Sequence, residues 1–149
     1  MPTTNDAPVS ARRRTWRRFA LYGMVGWAIE VVATGTWSLL RHRQSAATAQ
    51  TYLWMHPVYG VGGLVLERIE RLTASWPRTA QGLAFLPAIY AIEAASGALL
   101  RSVLGRCPWD YTGQGWHIDG LVRLDYAPAW WLVGFLFPPT RALVSRAAG

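Results

Sequence analysis

The chain has 149 residues, 52% of them hydrophobic and 15% charged, with a net charge of +7. Soluble domains carry about 25% charged residues, so this composition fits a membrane protein of one domain at most. All fifteen basic residues are arginine, and without lysine neither a standard P-loop ATPase site nor Schiff-base chemistry is available.

Residues 1–17 begin as a small, polar, proline-containing tail and end in "RRRTWRR", which reads as a disordered basic segment suited to anionic lipid headgroups rather than nucleic acid. The apolar run Phe19–Leu40 follows, with 22 residues and one charge, long enough for a bilayer that needs about 20. A cleaved secretory or twin-arginine signal is the competing reading, but three further apolar segments leave little soluble cargo. The second span is expected at about 51–67, short and broken in its first turn by His56-Pro57. The third is expected at about 79–101. The fourth, about 126–144, must continue through a Pro-Pro kink at Pro138-Pro139 to cross.

The sequence thus predicts an all-α membrane protein. A four-transmembrane-helix bundle over residues 18–146 carries a folded exterior loop between helices 3 and 4, which rests on or dips into the membrane. Ten arginines (12, 13, 14, 17, 18, 68, 71, 78, 141 and 146) fall on the side of the termini and five (41, 43, 101, 106 and 123) on the other. That asymmetry places both termini in the cytoplasm and the protein in the cell membrane as a multi-pass chain. Glycines 23, 26, 60, 63 and 97 recur at helical spacing and are expected to let helices approach closely.

Glu30 and Glu93 each sit inside an apolar span, where a central charge costs about 2.5–3.5 kcal/mol. They must face the bundle interior or a wet cavity, either to handle an ion, proton or substrate or to lock the bundle through hydrogen bonds. Glu67 and Glu70, beside Arg68 and Arg71, read as a solvated interfacial cluster.

The connection "GRCPWDYTGQGWHIDGLVRLDYAPAWW" (105–131) concentrates the remaining chemistry. Gly105 and Pro108 should stop the third helix, and "WHIDGLVRLDY" reads as a short interfacial helix or a membrane-dipping segment. Cys107 is the single cysteine, so no intrachain disulfide or four-cysteine zinc site exists, and a packed thiol fits better than a nucleophile. His117, Asp119 and Asp110 lack any characteristic metal spacing, so no metal and no cofactor is expected. Arg101, Arg106 and Arg123 could clamp a phosphate or carboxylate, or fold the loop by pairing with Asp110, Asp119 or Asp125. The candidate functional cluster is Glu30, Glu93, Arg101, Arg106, Trp109, Asp110, Tyr111 and Arg123.

The ordered set "GWAIEV", "HPVYGVGGLVLE", "IEAASGALL", "GRCPWDY" and "GLVRLDYAPAWWLVG" resembles the Putative ABC-transporter type IV family, from about Tyr22 to Gly134. By position, the resemblance carries over Glu30, Pro57, Tyr59, Gly60, Gly63, Glu93, Gly97, Trp109, Asp110, Tyr111, Gly120 and Trp130. His117 departs from the asparagine expected after the Trp-Asp-Tyr element. The family name implies a permease-like role, with a separate ATPase subunit because the chain has no ATP-binding loop, membrane lipids as partners, and a homo-oligomer if four spans are to form a pathway. Nucleic acid is not an expected partner. An intramembrane enzyme acting on lipid or isoprenoid, with Glu30, Glu93 and Asp110 as acid/base groups, is the alternative. A non-catalytic assembly subunit, with the loop as a folded plug, is the third reading.

Overall fold

A computed structural model describes residues 6–42 and 46–149. In chain order the elements are α1 (Asp6–His42), α2 (Met55–Leu72), α3 (Arg78–Leu104), β1 (His117–Ile118), β2 (Val122–Arg123) and α4 (Ala127–Ala148), with one 3-10 turn at Leu124–Tyr126 before α4. The expected all-α architecture is therefore correct for its four helices and incomplete at the loop.

Three boundaries differ from expectation. Helix α1 starts at Asp6, so residues 6–17 are helical rather than a disordered tail. Helix α2 starts at Met55, which puts Pro57 in its first turn. There the missing proline N–H has no intrahelical partner to lose, so His56-Pro57 begins the helix instead of breaking it. Helix α4 runs unbroken through Pro138 and Pro139 for 22 residues. The stop of α3 falls where expected: Gly105 takes φ +73, the left-handed conformation that ends helices without a Cβ penalty.

Two helices are long and apolar enough to cross a membrane, Ser10–Leu40 with mean hydropathy 1.3 and Arg78–Leu104 with 1.7. Only 17% of each apolar window is buried inside the chain, whereas the core helix of a soluble domain would be mostly buried. Met24, Val32, Leu40, Leu83, Leu99 and Val103 all face outward.

The chain divides into two compact units, Met1–Leu64 with Val144–Gly149, and Val65–Leu143. In the first unit α1 and the start of α2 interlock by a shared pattern. Phe19, Tyr22, Gly23 and Gly26 on α1 meet Gly60, Gly63, His56 and Tyr59 on α2, respectively. A Cβ at Gly60 would stand 2.6 Å from the Phe19 ring and one at Gly23 would stand 2.5 Å from His56 Nε2; Cβ atoms at Gly26 and Gly63 would run into the roots of the Tyr59 and Tyr22 rings. From the first pair of contacts (19 and 22 with 60 and 63) to the second (23 and 26 with 56 and 59) the partner numbers fall as the α1 numbers rise, so the helices run antiparallel. Each presents a Tyr-Gly-x-x-Gly stretch (22–26 and 59–63), and each tyrosine fills the other helix's glycine. This is small-residue packing of the kind that joins helices in lipid, where apolar burial alone gives no preference.

The second unit repeats the device with different residues. Gly82 of α3 lies against Trp131 of α4, and Gly134 of α4 against Phe85 of α3. Phe85 is fully buried and meets Phe137 edge-on at 5.6 Å. Glu67 and Glu70 are not a solvated cluster. Glu67 is 1% exposed and pairs with Arg71 at 3.2 Å, while Glu70 is reached by Arg141 of α4 at 2.7 Å.

Candidate functional site

The connection between α3 and α4 holds a β-hairpin rather than the expected interfacial helix. Strands β1 and β2 pair antiparallel, His117 with Arg123 and Ile118 with Val122. Asp119 (φ +53) and Gly120 (φ +68) occupy the central turn positions, closed by the Leu121 N–H donating to the Ile118 carbonyl at 2.9 Å. Asp-Gly is the dipeptide that tolerates two successive positive φ values. A Cβ at Gly120 would also lie 2.7 Å from Asp110 Oδ1 and 2.6 Å from Thr112 Oγ1, so the close approach requires glycine.

The hairpin settles on α3 through Gly97, whose missing side chain leaves room for Leu121 and Trp109. Trp109 Nε1 donates to the Leu121 carbonyl at 3.0 Å, and the Tyr111 N–H donates to the Gly120 carbonyl at 2.9 Å. These bonds fix Tyr111 above α3. Its hydroxyl donates to Glu93 Oε1 at 3.2 Å, while Glu93 Oε2 is buried with no hydrogen-bond partner. Burial, and then the facing Glu93 carboxylate, push the Tyr111 phenol well above its ordinary value. Tyr111 therefore stays a neutral donor.

Arg123 organises the rim. Its guanidinium donates twice or more to Asp125 at 3.0–3.2 Å, to Gln114 Oε1 at 3.2 Å and to the Tyr126 hydroxyl at 3.1 Å. It also lies 4.4 Å from the Tyr126 ring centroid, and that ring meets Tyr111 edge-on at 6.0 Å. The Tyr90 hydroxyl donates to the Leu124 carbonyl at 3.1 Å, tying the same segment to α3. Glu93, Tyr111 and Arg123 thus come together as one network, joined by Asp125, Tyr126, Gln114 and Tyr90.

The other candidates lie elsewhere. Arg101 donates to Asp119 Oδ2 at 2.9 Å and to the Asp119 carbonyl at 2.8 Å, so it fastens the hairpin turn. Asp110 is exposed and accepts the Thr112 N–H at 2.8 Å. Arg106 shares an open hollow with Arg101, Asp110, His117 and Asp119. Cys107 is half-buried and burial raises its thiol, which disfavours the nucleophilic thiolate. His117 Nδ1 accepts the Gly120 N–H at 3.2 Å, an acceptor role an amide oxygen could fill equally. Among the described residues no group of three or more His, Cys, Asp or Glu is placed to hold a metal. Glu30 belongs to the first unit, where Thr51 Oγ1 donates to Oε2 at 2.6 Å and Thr34 bridges the Glu30 and Gln50 carbonyls.

The Thr112 bonds hold the Asp110 carboxyl below its ordinary range, and the Arg123 bonds do the same for Asp125. Both folded values lie below the unfolded ones. The stabilisation is complete above the unfolded value, about pH 4, and is lost as pH falls through the folded values. Amide exchange of the hairpin, corrected for intrinsic rate, is expected to rise as pH falls below about pH 4. A rise beginning near pH 6 would contradict the assignment.

Apolar helices whose surfaces are left uncovered, and a polar cap closed over an acid on one of them, are the features of a small helical membrane protein. The chain belongs to the family described as Putative ABC-transporter type IV, whose sequence pattern matches residues 17–143. No solved structure matches the chain.

Proposed function

We propose that the chain is a multi-pass membrane component of a transport system, with four spans, both termini in the cytoplasm and a separate ATPase subunit. Glu93 is the group that meets the transported species. The observation that carries this reading is the Glu93 carboxylate itself: one oxygen held by Tyr111, the other buried and left open. An acid on an apolar helix is costly, and an unsatisfied buried oxygen adds to that cost, so its retention calls for use. The family name supports the transport setting. Glu30, engaged by Thr51 in the first unit, is a second acid of the same kind. The basic segment before the first apolar run supports the cytoplasmic placement of the N-terminus.

The test begins with purification from native membranes in mild detergent. ATP hydrolysis should accompany the wild-type chain, since the chain has no lysine with which to build its own P-loop. Glu93→Gln should leave the complex assembled and uncouple that hydrolysis from flux in reconstituted vesicles. Full flux through Glu93→Gln would remove Glu93 from the pathway, and a preparation that never hydrolyses ATP would remove the ATPase.

A further inference from the structure

In the first unit, the start of α1 and the end of α4 form a basic surface to which the transport reading gives no binding role. Arg12, Arg13, Arg14, Arg17 and Arg18 lie within two turns of α1. At 100° per residue, all but Arg12 fall within an arc of about 140°. Arg14, Thr15 and Arg18 line one wall of a hollow of about 340 Å³, and Ser145, Ala148 and Gly149 line the other. Arg17 holds the walls together, its Nη1 donating to the Ala148 carbonyl at 3.2 Å. Among the described residues no aspartate or glutamate lines the hollow.

We infer that this hollow is a headgroup site for an anionic phospholipid; the inference rests on the membrane reading above. Guanidinium forks suit phosphate oxygens, and arginine is the chain's only strong cation. What selects a lipid over a soluble phosphate is the surface that continues from it. Trp16, about 160° around α1 from Arg14 and Arg18, is 58% exposed, as an aromatic anchor at the headgroup level would be. Beyond the hollow, α1 exposes Ile29 and Val32 on the side that carries Arg14 and Arg18, an apolar strip along which an acyl chain can lie. The occupant is anionic at one end and hydrocarbon at the other.

The test uses the full chain purified in detergent, with phosphatidylglycerol and phosphatidylcholine as probes and lipid retention read by native mass spectrometry. Phosphatidylglycerol should be favoured. Each juxtamembrane arginine contributes roughly fivefold, so Arg14→Gln with Arg18→Gln should lower its retention roughly 30-fold and leave phosphatidylcholine unchanged. Arg68→Gln with Arg78→Gln, which removes the same charge elsewhere, should retain it. Should the glutamine pair fail to fold, Arg14→Lys with Arg18→Lys keeps the charge, loses the fork, and should still lower retention several-fold. Equal loss in the two glutamine pairs would show bulk charge and overturn the site. So would undiminished retention in both the glutamine and the lysine pairs, or displacement of the lipid by soluble glycerol phosphate. An alkaline carbonate wash separates the two readings. A wild-type chain that leaves the membrane defeats the membrane reading, and this inference with it. One that stays without preferring phosphatidylglycerol defeats this inference alone.

Discussion

Gly63→Ala is expected to destabilise the first unit by about 3 kcal/mol, although alanine is the better helix former by about 1 kcal/mol. The new Cβ would enter the space held by the root of the Tyr22 ring, and Tyr22 is only 4% exposed. A ring root cannot swing aside as a chain end can, so the helices must separate or Tyr22 must leave its site. Gly26→Ala should behave alike, because Tyr59 occupies that glycine by the same geometry. Thermal unfolding in detergent, followed by circular dichroism, measures the loss. Combining Gly63→Ala with Tyr22→Ala should cost less than the sum of the two changes, since each relieves the other. A Gly63→Ala chain that melts at or above the wild-type temperature would mean that propensity outweighs packing and that α1 and α2 do not meet here.

That interlock was legible in part. Gly23, Gly26, Gly60 and Gly63 stand out at helical spacing, and close approach is the ordinary use of such residues in lipid. Their partners were harder to read. Phe19, His56 and the two tyrosines look like generic span residues until the antiparallel pairing sets each aromatic against a glycine. The hairpin was missed for a different reason. Asp119-Gly120 is a turn signal in any sequence, but its flanking strands are only two residues each, too short to alternate convincingly. Hydropathy in a chain this apolar then favoured helix or membrane contact.

Glu67 and Glu70 show where local reading ends. Placed three residues apart and each followed by an arginine, Arg68 and Arg71, they have the pattern of an exposed charged turn. What buries them is the second unit's own packing, with Arg141 of α4 reaching Glu70 from more than seventy positions along the chain. No periodicity in α2 announces that partner. Glu93 and Tyr111 are separated less, yet their contact depends on Gly97 admitting the hairpin, on Trp109 anchoring it and on Gly120 closing its turn. Glu93 was visible as a candidate because an acid in an apolar helix is conspicuous. Tyr126 and Gln114 carried no such mark, since a tyrosine near a span end and a glutamine between glycines have unremarkable sequence settings.

Arg123→Ala is expected to release the hairpin while leaving the first unit intact. The guanidinium is only 15% exposed and serves Asp125, Gln114, Tyr126 and the Tyr126 ring together. Asp125 is open to water, so its share is screened and small. The remaining bonds and the ring contact amount to about 2 kcal/mol. Hydrogen exchange should therefore quicken across residues 109–126 and stay unchanged in residues 10–40. Arg123→Lys, which keeps the charge but not the fork, should fall between. Tyr111→Phe completes the comparison, because it leaves the hairpin pinned by Trp109 yet removes the hydroxyl from Glu93. If the loop were only a folded plug, Tyr111→Phe would reduce abundance, if anything, and leave activity per molecule unchanged. In the transport reading the reverse is expected: near-normal abundance with flux per molecule reduced at least tenfold, the scale of one lost hydrogen bond to a charged group. Arg123→Ala should then lose both, abundance through the hairpin and flux through Tyr111.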